Sequence, residues 1–394
     1  MSKRIFSKTL ALLLCLLSII APLPVSANEG EIELSIISAN VSGLPAILSK
    51  YDRNVPSSQE KLGGMLNDSG YDIICVQEDF GYHDTLAATM TNYPYKTYAS
   101  GGVPVGDGLN IFSKYPFYNV ERVAWDSYNG VFSDGSDALT PKGFIKCTVD
   151  VSGVLIDLYN VHCDAYSTEA DQLTKKAQLE QLMKYINANS TDRPIIVTGD
   201  TNLTFHKDPL SEMYRIMIEE GGFVDCWVEV KNDGNYLQGD DADVLIKKWF
   251  DKFGGHDWGR WDSVERVLYK NGGGVSFSPT RFEYKIYTDN KAQIKSLTDH
   301  RMMECKLSLD TSSYQRPDIE LTPESEPSAF LGFFYGCGMV ARCVFLVICE
   351  AVRLYPVAAV LVLLCITAIV ILAKKLRAKR KKKKADTAEK MREK

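Results

Sequence analysis

Between residues 31 and 309 the chain repeats one device. A short run of apolar, β-favouring residues stops abruptly on an amide, a carboxylate or an imidazole. "SIISAN" ends in Asn40, and "DIICVQE" ends in Gln77 and Glu78. "LIDLYNVHCD" closes with Asn160, His162 and Asp164, and "IIVTGDTN" with Asp200 and Asn202. Late in the chain, "LTDHRMMECKL" sets Asp299 and His300 just ahead of another such run. One instance reads as a strand followed by a polar turn, because Gly, Asp and Asn are ordinary turn formers. Five instances read as a site. A strand is rigid and fixes the position of whatever follows it, so polar groups gathered at strand ends mark the working edge of a sheet.

The rest of this region alternates short β runs with amphipathic helix. Strands are expected at 32–39, 72–77, 143–149, 154–161, 194–199, 264–269 and 302–309. Apolar residues spaced three and four apart predict a helix over 168–189. "DVSG" between the third and fourth strands reads as a hairpin, hence an antiparallel pair. No repeat of solenoid period occurs, and about 280 residues suit one α/β domain.

Both ends of the chain have a different character. Lys3, Arg4 and Lys8 precede an apolar run, and small residues at 25–27 offer a cleavage site, so 1–27 is expected to be a secretory signal peptide. Residues 356–373 carry no charge, and at about 1.5 Å per residue they span about 27 Å, close to a bilayer's hydrocarbon core. The basic block "KKLRAKRKKKK" follows at once and favours the cytoplasmic side. The apolar segment 329–355 contains Arg342, Glu350 and Arg353, and a second span there would put the basic tail outside. The expected layout is therefore a catalytic domain at 28–309, a linker at 310–328, an interfacial segment at 329–355, one transmembrane helix at 356–373 and a cytoplasmic tail at 374–394. This places the domain on the outer face of the cell membrane.

Charge narrows the partners. Of the formal net charge of −5, residues 374–394 contribute +9, residues 1–27 contribute +3 and residues 328–373 contribute +1, which leaves −18 on 28–327. So acidic a domain is poorly suited to tracking a nucleic-acid backbone. Carboxylates that gather cations suit it better. Cys75, Cys147, Cys163, Cys226 and Cys305 form no CxxC pair, so neither a zinc site nor a redox motif is expected, and Cys75 and Cys305 read as buried free thiols. The strand-end set is rich in oxygen donors, which favours a hard cation, Mg²⁺ or Mn²⁺.

With these motifs in view, the chain resembles the endonuclease/exonuclease/phosphatase superfamily, which has the deoxyribonuclease I fold. Asn40, Gln77-Glu78, Asn160-x-His162, Gly199-Asp200-x-Asn202, an acidic strand residue and Asp299-His300 follow one another in the family's order over roughly 31–309. "NVSGLP", "VQEDF", "GLNIFSKYPF" and "DSVERVLYK" look most like the neutral sphingomyelinase-like branch. The resemblance implies a four-layer α/β sandwich, with two mostly antiparallel sheets face to face and helices outside. It also implies phosphoester cleavage by water with Mg²⁺ or Mn²⁺ as cofactor.

Carried over by position, Glu78 is the principal metal ligand, with Asn40 beside it and Asp299 as a second. Asp200 and Asn202 orient water and phosphate. His300 is the general base, and His162 a donor to the phosphoryl oxygen. Asn110 and Lys114 are implied to bind substrate. The family often has Asp in the strand that here reads "VERVLY", where this chain has Glu265, so either Glu265 or Asp262 is left to orient His300.

The expected substrate is a phospholipid such as sphingomyelin or another small phosphoester, and the oligomeric state stays open. The alternative is a surface nuclease, or a phosphomonoesterase for inositol phosphates or nucleotides, with Lys114, Arg266 and Arg301 to hold a dianion. A noncatalytic module would be expected to lose part of the intact polar set. His83, His206 and His256 read as surface or capping residues, and "WFDKFGGHDWGRW" (249–261) as a packed loop.

Overall fold

A computed structural model describes residues 32–45, 55–132, 134–203, 210–236, 264–285, 287–288 and 297–355. The signal peptide, the span at 356–373, the basic tail, Asp262, His206, His256 and the aromatic stretch 249–261 lie outside the described residues.

All seven expected strands form. They are β1 (Ile32–Asn40), β2 (Ile73–Gln77), β6 (Gly143–Val151), β7 (Val154–His162), β8 (Ile195–Asp200), β10 (Glu265–Lys270) and β12 (Met302–Asp310). Five further strands join them: β3 (Tyr95–Lys96), β4 (Asn110–Ser113), β5 (Phe117–Ala124), β9 (Val224–Asp225) and β11 (Ser276–Lys285). Four of these five are sheet edges, since the sheets run β11-β12-β1-β2-β4-β3 and β5-β6-β7-β8-β10-β9. An edge strand tolerates polar and charged residues, so "SFSPTRFEYK" of β11 alternates buried and exposed positions and lacks a core strand's continuous apolar run.

Each sheet has one parallel pair, β1 with β2 and β7 with β8; the remaining pairs are antiparallel. "DVSG" is the β6–β7 hairpin, as expected. The parallel pairs decide where the site falls, because only parallel neighbours bring two C-terminal ends to the same edge.

Residues of both sheets share one core: Leu34, Ile36 and Ile73 of the first pack with Ile145, Leu158 and Val267 of the second. The outer face of the first sheet packs on helices α1 (Val55–Asp68) and α2 (His83–Thr89) through Leu62, Leu66 and Leu86. The outer face of the second packs on α3 (Glu169–Asn189) through Leu179, Leu182 and Ile186. Thr168 opens α3 with a capping box: its side chain accepts from Asp171 N, and the Asp171 carboxylate accepts from Thr168 N. The first turns of α3 bury polar groups as well. Lys175 Nζ donates to the carbonyl of Asn202 at 2.7 Å, which ties the helix to the end of β8.

Gly199 stands directly before Asp200 at φ +138°, opposite Val161 of β7. A Cβ there would lie 2.1 Å from the Val161 carbonyl oxygen. Gly199→Ala is therefore expected to destabilise the fold by about 2 kcal/mol or more, read as a lower urea midpoint. An unchanged midpoint would mean that β7 and β8 separate freely at this point.

Residues 310–328 are not a loose tether. Arg316 pairs with Asp150 at 2.7 Å beside the β6–β7 turn. Asn119 of β5 exchanges hydrogen bonds with Thr322 at 2.8 Å each way. Tyr98 N then donates to Glu324 at 3.1 Å. The segment thus runs as a strap along β5 from the end far from His162 towards the end near it. It leads into α4 (Ala329–Leu354), which is long and apolar enough over Gly332–Leu354 to cross a membrane.

Candidate active site

The C-terminal ends of β1, β2, β7 and β8 meet at one edge of the two sheets, and hydrogen bonds join them. Asn40 Nδ2 donates to Glu78 Oε1 at 3.0 Å and to Asp200 Oδ2 at 2.9 Å. One amide therefore clamps a carboxylate from each sheet. Behind it, Gln77 Nε2 donates to Asn160 Oδ1 at 2.7 Å, and Asn160 Nδ2 donates to the carbonyls of Val76 and Asn110. The backbone bends sharply where the polar residues begin. Glu78 has φ +56° and Asn202 φ +50°, a left-handed conformation that costs a side-chain-bearing residue about 1–2 kcal/mol.

Asp200 is the hub. Besides Asn40, its Oδ2 lies 3.6 Å from His162 Nε2 and 3.7 Å from His300 Nδ1. His300 Nδ1 is 2.7 Å from Glu265 Oε1. The extra methylene of Glu265 is accommodated, and its carboxylate meets the imidazole. Thr298 Oγ1 holds the approach to His300 by donating to the Asn40 carbonyl at 2.7 Å.

Burial opposes a charge on His300, but Asp200, the hydrogen bond and charge of Glu265, and Glu78 outweigh it and raise its pKa to about 10. Burial, followed by the positive charges of Lys142 and His300, holds His162 well below its ordinary value, so His162 is neutral. Burial raises Asp200 to about 6 against the pull of His300.

Among the described residues, the acid and histidine ligand atoms within 4.8 Å of one another are those of Asp200, Glu265 and His300. Because His300 Nδ1 is taken up by Glu265, this trio has the geometry of an imidazole oriented by a carboxylate, with Nε2 outside that contact. The groups that fit a hard cation are the Glu78 and Asp200 carboxylates converging on Asn40. Beside them, both ring nitrogens of His162 are buried without a hydrogen-bond partner.

Asp299 is exposed and stands apart from that trio. Asn110 is buried at the site end of β4, but its groups are engaged within the protein. Nδ2 donates to Asp79 at 2.9 Å, and Oδ1 accepts from Thr97 and Arg122. Lys114 is not brought to this edge. β4 runs antiparallel to β2, so the far end of β4 carries Lys114 away from Glu78, and its Nζ reaches Gly70 O and Asp72. Arg266 is likewise turned inward, 3.7 Å from Asp225 and donating to Leu203 O. His83 is half-buried at the start of α2, with its Nδ1 2.6 Å from the buried Asp79.

Sequence reasoning missed Lys142. It is buried, 2.6 Å from Asp137, and donates to Cys163 O at 3.2 Å. Its charge acts on Glu78 and Asp200. It stands before a strand rather than after one, so a scan of strand ends passes over it.

Residues 37–278 match the model of the endonuclease/exonuclease/phosphatase family. The chain belongs to this family. Among its relatives, a sphingomyelinase of Mycobacterium bovis is 30% identical over 208 residues, 51% of this chain and 40% of that protein. A putative neutral sphingomyelinase of Drosophila melanogaster is 27% identical over 203 residues, 49% of this chain and 44% of that protein. The chain thus spans less than half the length of these curated relatives. Of solved structures, D. rerio TDP2 complexed with a single-strand DNA product superposes with a TM-score of 0.51 at 18% identity, covering 70% of this chain and 98% of that one. That likeness speaks to the fold alone.

In this family site the sign of the pH dependence follows from His300. A raised pKa means that its contribution to folding is complete below about pH 6.5 and is lost as pH rises through about 10. A bound divalent cation offsets the carboxylates that hold the proton, so Mg²⁺ is expected to lower the His300 pKa. By linkage, Mg²⁺ should bind more tightly as pH rises. NMR titration of the imidazole in EDTA and in Mg²⁺ measures this, and an unmoved pKa would put the cation elsewhere.

Proposed function

We propose that the protein is a Mg²⁺- or Mn²⁺-dependent phosphodiesterase that hydrolyses a lipid headgroup phosphodiester, sphingomyelin being the leading candidate, at the outer membrane face. The observation that carries this reading is the Asp200 hub, where Asn40, His162 and the Glu265–His300 pair converge. Glu78 and Asp200, braced by Asn40, would hold the cation, which supplies charge stabilisation to the phosphoryl oxygens and acidifies water.

His300 accepts the water proton at Nε2, and Glu265 at Nδ1 keeps the tautomer and stabilises the imidazolium that forms. Neutral His162 offers an N–H to a phosphoryl oxygen as its charge grows. Asn202 has a different task, that of orienting the attacking water. Its backbone N–H donates to Asp200 Oδ1 at 3.0 Å and its Nδ2 to Cys163 O at 3.0 Å, which leaves the amide oxygen for water.

Of Lys114, Arg266 and Arg301, the cations that would hold a dianion, Lys114 pairs with Asp72 at the far end of β4 and Arg266 turns inward to Asp225, which favours a diester over a monoester. The net charge of −18 on 28–327 disfavours DNA. The full chain in detergent, assayed on sphingomyelin, phosphatidylcholine, single-stranded DNA and an inositol phosphate with Mg²⁺ or EDTA, tests the reading. Mg²⁺-dependent release of a phosphorylated headgroup is expected. Hydrolysis of the monoester alone would replace the phosphodiesterase reading by a phosphatase.

A further inference from the structure

The C-terminal helix α4 is seated on the rim of the site by one stripe of residues. Gly336, Met339, Arg342 and Cys343 are half-buried, at a spacing that keeps them on one face. The Arg342 guanidinium lies 4.4 Å from the centre of the Tyr128 ring and donates to Ala138 O at 2.9 Å. Cys343 Sγ donates to Leu139 O at 3.6 Å. Gly336 faces Val105, and an added Cβ would meet it at ordinary contact distance, 3.7 Å.

Those contacts belong to two loops. Residues 97–109 lead into Asn110 of the first sheet, and residues 125–142 join β5 to β6 beside His162 of the second. Tyr335, Met339 and Arg342 close a cleft of about 130 Å³ against Trp125, Lys142 and Asp164. Trp125 Nε1 in turn donates to the His162 carbonyl at 2.7 Å. The opposite face of α4 is apolar and open, with Phe330, Phe333, Phe334, Val344, Phe345 and Ile348 each more than half exposed.

We infer that α4 lies flat on a lipid bilayer, with its phenylalanine face in the lipid and its Arg342 face against the domain, and so holds the catalytic edge at the membrane surface. The occupant of the open face is a bilayer rather than a protein, because the chain that follows supplies eighteen uncharged residues at 356–373 and then a lysine-rich block. A helix whose middle residue touches Tyr128 and the Ala138 carbonyl cannot also sit at the bilayer midplane, where Arg342 would be far from water and from the domain. The strap through Arg316, Thr322 and Glu324 delivers the chain to this edge and no other. A phosphodiester still embedded in the bilayer then meets the site without leaving the lipid.

This rests on the phosphodiesterase reading for its consequence but not for its geometry, so the test has two arms. Full-length protein in phosphatidylcholine vesicles carries Phe333→Trp or Ile348→Trp, with lipids brominated at shallow or deep acyl positions as quenchers. Both tryptophans should be quenched most by the shallow label. Deep quenching at one position only, as a span requires, overturns the inference, and so does the absence of quenching at both. In the second arm, Arg342→Glu should lower hydrolysis of a vesicle-embedded diester about 10-fold or more relative to water-soluble bis(4-nitrophenyl) phosphate. An unchanged ratio overturns the orienting role. If the parent hydrolyses neither diester, the phosphodiesterase reading falls and the quenching alone decides how α4 lies.

Discussion

Replacing His300 by alanine is expected to slow phosphodiester hydrolysis by about 10²–10⁴-fold, roughly 3–5 kcal/mol of barrier, and to remove the acidic limb of the pH–rate profile. The limb exists because a base must be neutral to take a proton. The Asp200, Glu265 and Glu78 carboxylates favour its charged form, so activity falls as pH drops through its pKa. Alanine also leaves Glu265 buried without its imidazole partner, a loss of stability that could pass for a loss of chemistry. His300→Gln separates the two: its amide can donate to Glu265 but cannot carry the proton, so it should fold with near-parental stability and remain as slow as alanine.

His162→Ala should cost a similar factor and keep the acidic limb, because it removes a donor and not the base. The double variant should fall short of the product of the two single losses, since both groups act on one transition state. An acidic limb that survives in His300→Ala and vanishes in His162→Ala would reverse the two roles.

Glu78→Gln is expected to weaken Mg²⁺ binding by about 100-fold or more and to reduce activity in step at limiting Mg²⁺, because a neutral amide is a poor ligand for a hard cation. The substitution keeps shape and length. The left-handed turn at Glu78 and the hydrogen bond from Asn40 can both persist, so the thermal midpoint without metal should barely move. Calorimetric titration with Mg²⁺ gives the affinity, and activity at rising Mg²⁺ shows how much is recovered. Parental affinity in Glu78→Gln would remove this carboxylate from the metal and leave Asp200 as the principal ligand.

Much of this molecule was legible from local pattern. The central strands bury both faces, so they appear as continuous apolar runs, and the polar residues closing them stand out against that background. Asn40, Glu78, His162, Asp200 and His300 were marked in this way, and the structure brings all five to one edge. The edge strands β3, β5, β9 and β11 were not legible, because a strand paired on one side only has no need of a continuous apolar run.

What the sequence by itself determined is therefore the class of fold, the central strands and the polar inventory of their ends, all of which follow from burial patterns a few residues long. Tertiary structure alone decided the partnerships. It paired Glu265 with His300 across 35 residues and clamped Glu78 to Asp200 through Asn40. Antiparallel pairing of β2 with β4 sent Asn110 and Lys114 to opposite ends, although the two are four residues apart in the chain. It buried Lys142 near the carboxylates and turned an apparent linker into a strap that seats α4 on the rim. Strand direction and register are set by how whole sheets pack, and residues brought together from different sheets leave no mark in the spacing of either.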